Sequence, residues 1–156
     1  GNKMIKKLYL VHTSGICLSY IDYENLKIEM AEKKAVHPQL ESGFFTAIIS
    51  FFEGKTSDPS GEQTVCRLEW KNVDILFYNV GKFYLIIEND NKNMNLNEED
   101  WNNIFKYLAS EITSMIESGK LEEDSGKIPD FTDFENNSRE YISKVLRKSL
   151  LRKFSH

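Results

Sequence analysis

The sequence predicts an α+β domain: a five-stranded antiparallel sheet with helices packed on it, in the order ββ-α-βββ-α-α. Three observations predict this. Two short strand-like segments precede residue 24, three more lie between residues 64 and 88, and three longer segments carry apolar residues at helical spacing. One sheet covered by helices is the economical way to bury all of these faces. The chain has 156 residues, 40% of them apolar and 28% charged, which suits one globular domain whose core needs no disulfide or metal.

The first strand is expected over residues 4–13, where Leu8 and Leu10 alternate with Tyr9 and Val11. Thr13-Ser14-Gly15 is a tight reversal, and residues 16–23 return as the second strand. Residues 24–34 are charged enough to form a loop. After His37-Pro38, residues 39–53 read as a helix, and Asp58-Pro59-Ser60-Gly61 closes the loop that follows. Strands are expected over residues 64–71, 73–78 and 83–88, with Val80-Gly81 marking the last hairpin. Asn97 followed by Glu98, Glu99 and Asp100 is the start of a long helix, because an amide side chain caps free N–H groups and acids favour the dipole there. Its stripe is Trp101, Ile104, Phe105, Leu108, Ile112, Met115 and Ile116, and Gly119 ends it. A polar linker over residues 119–133 leads to a last helix over residues 136–154.

Several chemistries are disfavoured. Cys17 and Cys66 sit in apolar stretches without a CxxC pattern and are expected to be small buried core residues in a reducing compartment. His12, His37 and His156 have no metal-ligand spacing. Gly54-Lys55-Thr56 resembles the end of a phosphate-binding loop, but Ile49 stands where the first Gly is needed. A net charge of -4 argues against nucleic acid, and no apolar run approaches the roughly 20 residues of a membrane helix. The expectation is a cytoplasmic, non-enzymatic protein with no metal and no cofactor.

The strand Lys7-Leu-Tyr-Leu-Val-His12, the segment Ser14-Gly-Ile-Cys-Leu18 and the helix opening Pro38-Gln-Leu-Glu-Ser-Gly-Phe-Phe-Thr-Ala-Ile48 together resemble the longin branch of the roadblock/longin superfamily. The wording is most similar to archaeal relatives of eukaryotic trafficking proteins. The resemblance covers residues 4–118 and leaves the linker, residues 119–133, and a basic amphipathic helix, residues 134–156. It implies a SNARE-like, profilin-like architecture that works as an assembly platform: a homodimer or longin/roadblock heterodimer that serves vesicle-trafficking-like complexes or regulates a small GTPase. It implies no catalytic or cofactor-binding residues. A PAS-like small-molecule sensor is the alternative, since it too interposes helix between two strands and three; one long middle helix and two terminal ones favour longin.

Two features ask for a partner. In the helix over residues 39–53, Phe44, Ile48 and Phe51 form one stripe, and Phe45, Ile49 and Phe52 a neighbouring one. One sheet face covers one stripe. The other must meet the C-terminal helix or another chain, and which stripe faces inward is open. Phe45, Ile49 and Phe52 are taken as the contact set, beside an edge strand that carries Arg67 and Glu69. The last helix bears Lys144, Arg147, Lys148, Arg152 and Lys153, either as basic residues matched to the helix dipole or as a surface for anionic membrane or an acidic partner.

Overall fold

The computed structural model describes residues 5–23, 47, 49–50, 63–70, 73–90, 96–124 and 127–154, with the side chains of Trp70, Lys153 and Phe154 left aside. Among them are strands β1 (Ile5–His12), β2 (Cys17–Asp22), β3 (Cys66–Trp70), β4 (Val73–Val80) and β5 (Phe83–Asp90), and helices α1 (Glu98–Glu117) and α2 (Thr132–Phe154). The architecture is α+β, with one five-stranded, wholly antiparallel sheet. Ala47, Ile49 and Ser50 are helical, and the rest of the helix expected over residues 39–53 lies outside the described residues. The chain divides into two compact units, Gly1–Lys92 and Asn93–His156, so α1 belongs with α2.

In the first unit the strands lie in the order β2-β1-β5-β4-β3, which puts β2 and β3 at the two edges. The pleat sends alternate side chains to opposite faces. One face gathers Tyr9, Val11, Ile75, Phe77, Tyr84 and Ile86 into a buried cluster, and Ile49 packs into it. The other face carries Leu8, Leu10, Leu76, Leu85 and Ile87, each no more than 1% exposed. Strands buried on both faces read as nearly continuous apolar runs, which is why Tyr9-Leu10-Val11 and Leu85-Ile86-Ile87 show little polar alternation.

The register slips twice. Leu10 faces Ser19 while Val11 faces Cys17, so β2 carries one extra residue there. Ile5 faces Asn89 while Lys7 faces Glu88, so β1 carries one extra residue near its start. The second bulge keeps Ile5 buried and sets Lys7 between Glu88 on β5 and Asp22 on β2. Gly81 turns β4 into β5 with φ 58, a conformation that glycine reaches without a Cβ clash.

In the second unit α1 and α2 run antiparallel as a helical hairpin, since Glu111 meets Asn137 near one end and Asp100 meets Arg152 at the other. Trp101, Ile104, Phe105, Leu108 and Ile112 are buried along α1 as the period required, and Gly119 (φ 78) follows its last turn. The linker is shorter than expected. α2 begins at Thr132, where the Asp130 carboxylate accepts from both the Thr132 N–H (2.9 Å) and its hydroxyl (2.6 Å). Leu121 and Phe131 are buried within the linking segment.

Candidate interaction surfaces

Among the described residues β3 pairs with β4 and ends the sheet order. Cys66 and Leu68 turn toward the Ile49 cluster and are half-buried against it. Arg67 and Glu69 turn to the opposite face and are exposed. Glu69 lies directly across from Asp74, a buried carboxylate, and like charges in that position weaken a strand pair. The strand expected at an edge thus ends the described sheet order. Ile49 is 5% exposed and belongs to the sheet core, so it corrects the contact set expected on the middle helix. The physical reason is burial: Ile49 packs into the cluster on one face of the sheet. Phe45 and Phe52 lie outside the described residues, as do His37, His156 and Gly54-Lys55-Thr56.

The helical hairpin is pinned at both ends. Asn97 accepts from the Asp100 N–H at 2.8 Å, and Asp100 accepts from the Asn97 N–H at 3.0 Å, a reciprocal capping box. The Arg152 guanidinium then grips both oxygens of the same carboxylate. Burial pushes the Asp100 carboxyl up, but the Arg152 and Asn97 hydrogen bonds and the Arg152 charge outweigh it and hold the group below the usual carboxylate range. Arg152 is thus paired inside its own unit while its side chain stays 46% exposed. Nearer the other end Tyr107 and Tyr141 stack at 4.1 Å with their rings 6° apart. The Tyr107 hydroxyl donates to Glu111 at 2.8 Å, and burial together with that carboxylate pushes the phenol up to about 12. Glu111 also accepts from Asn137 at 3.2 Å.

The outward face of α2 has a different character. Lys144, Arg147 and Lys148 are exposed, and Lys144 lies 3.7 Å from Glu140. Leu150 and Leu151, about one turn beyond Arg147, are 45% and 70% exposed. The inward face meanwhile buries Phe134, Ile142 and Val145 but also Glu135, Ser138 and Ser149. Sequence reasoning did not single out Leu151. At 100° per residue Leu151 falls among the lysines and arginines, which is the signal that could have found it.

Reactive groups are held quietly. His12 Nδ1 accepts from the Ser14 N–H at 3.1 Å and lies 2.9 Å from the Ser14 hydroxyl, so one ring nitrogen serves both groups and locks the β1–β2 turn. The two cysteines are half-buried rather than fully buried, because they occupy opposite edge strands, where the sheet covers a side chain from one side. Burial pushes the Cys66 thiol up, against a weaker effect of Thr64, which keeps it a thiol at neutral pH. An open groove of about 300 Å³ lies between the end of α1 and the start of α2, lined by Glu111, Ser114, Met115, Asp133 and Asn137 among others. No group of three or more His, Cys, Asp or Glu among the described residues is placed to hold a metal. No described helix is long and apolar enough to cross a membrane. Compared with known proteins, the chain matches no family model and no curated sequence.

Proposed function

We propose that this chain is a non-enzymatic interaction module of longin type that assembles through β3, the strand at the end of the described sheet. The observation that carries the reading is the edge itself. Among the described residues β3 ends the sheet order, and it carries exposed Arg67 and Glu69. A second copy, or a longin or roadblock domain of another chain, can add a strand there. Main-chain hydrogen bonds then supply affinity, and the alternating charges choose the partner. Support for the reading comes from an α+β fold with five antiparallel strands and two helices after them. A small GTPase or a trafficking-like complex is the client expected of such a platform.

The test is the mass of the full chain in solution by light scattering, for wild type and for Arg67→Glu with Glu69→Arg. A wild-type dimer that becomes a folded monomer when these charges are exchanged supports the proposal. A wild type that stays monomeric at high concentration, or a dimer indifferent to the exchange, removes self-assembly through β3.

A further inference from the structure

We infer a second interaction surface, independent of β3: the last turns of α2 bind the surface of a membrane that contains anionic lipid. Four observations converge on it. Leu150 and Leu151 are adjacent and stand 45% and 70% exposed on a helix that has a buried face of its own. Lys144, Arg147 and Lys148 precede Leu151 by seven, four and three residues, so all four side chains share the outward face, and all are exposed. From Tyr141 to the last residue there are five Lys or Arg and no Asp or Glu, so the chain's net charge of -4 is -9 without this segment. The helix dipole accounts for basic residues near a helix end, but not for two exposed leucines among them.

The choice of occupant follows from size and chemistry. Two leucines on one convex helix offer far less than the roughly 800 Å² per partner of a stable protein interface. A bilayer demands no matching shape. Leucine side chains can enter the boundary between headgroups and acyl chains, while the long stems of lysine and arginine let their charges stay with lipid phosphates. The helix is not apolar enough to cross the bilayer, so it lies on the surface. Arg152, held by Asp100, anchors α2 to α1 and takes no part.

The experiment is co-sedimentation of the full chain with vesicles of phosphatidylcholine alone and of phosphatidylcholine mixed with phosphatidylserine. The expected result is binding to the mixed vesicles only, with release at about 1 M salt, where the screening length falls to ~3 Å. Leu150→Ser with Leu151→Ser should lower partitioning by about tenfold or more, the loss expected from removing two aliphatic anchors. Arg147→Glu with Lys148→Glu should abolish it. All four positions are exposed, and circular dichroism checks that both variants fold. Failure to bind the mixed vesicles, equal binding to neutral vesicles, or binding that survives either double substitution overturns the inference. So does capture of polyglutamate without capture of vesicles, which would assign the patch to an acidic polypeptide.

Discussion

The two helices of the second unit are close in length and packed on each other, yet they spend their side chains in opposite ways. α1 buries Trp101, Ile104, Phe105, Leu108 and Ile112 and exposes Asn102, Asn103 and Lys106. α2 buries Glu135, Ser138 and Ser149 while Leu150 and Leu151 stand in solvent. Burying a hydroxyl brings little apolar transfer energy and requires a hydrogen bond, which Ser138 makes to the Phe134 carbonyl at 2.6 Å. The pattern of α1 is what folding alone favours. That of α2 gives up part of that gain, and the leucines it leaves outside are available for another surface. If this contrast holds, substitutions along α1 should damage the fold, and outward substitutions on α2 should leave it intact.

The largest effect is expected at Phe105, which is fully buried on α1. Phe105→Ala should cost about 3 kcal/mol in denaturant melts, the scale of core aromatic truncations. A loss below about 1 kcal/mol would break the comparison at its root, because the α1 stripe would then not be core. Next comes the cap. Asn97→Ala removes the acceptor for the Asp100 N–H and should cost about 1 kcal/mol.

Smaller is the effect of Arg152→Gln, because that side chain is 46% exposed and solvent screens its charge. Its signature is the pH dependence. The Asp100 carboxyl titrates lower in the folded chain than in the unfolded one, so the pair stabilises the fold above the ordinary carboxylate pKa of about 3.9. That stabilisation fades as pH falls through the depressed folded value. Arg152→Gln should therefore lower Tm at pH 7, and the gap to wild type should close under more acid conditions. A gap that is the same at both pH values would mean that the ion pair is not its source.

What was legible in the sequence follows a physical division. Local periodicity and turn chemistry sufficed for the five strands, for α1 with its Asn97 start and Gly119 stop, and for β3 as an edge. Pairings across long separations were not legible. Asp100 and Arg152 lie 52 residues apart, and nothing local to either marks the other. Two equal apolar rows left the place of Ile49 open, and it is its packing into the cluster of Tyr9, Phe77 and Ile86, brought together from distant strands, that buries it. The early start of α2 was legible in principle, since Asp130 before Thr132, with Asp133 and Glu135 in the first turn, is a helix-start pattern, but Pro129 nearby favoured reading linker.

The smallest effect on folding is expected at Leu151, and it tests the comparison most sharply. A leucine that contributes to a core costs several kcal/mol when truncated, because burial and packing are both lost. Leu151 is 70% exposed, so little of either exists in the free chain. Leu151→Ser should shift stability by no more than about 0.5 kcal/mol, as surface substitutions do. The slightly poorer helix propensity of serine predicts a small loss, and removal of exposed apolar surface brings no compensating penalty. Measured beside Phe105→Ala in the same denaturant, the two values should differ several-fold. A Leu151→Ser loss comparable to that of Phe105→Ala would show that Leu151 is covered in the folded protein. The outward face of α2 would then be structural, and the contrast between the helices would disappear. Near-silence in folding together with lost partitioning onto anionic vesicles would establish that this leucine serves a surface outside the chain.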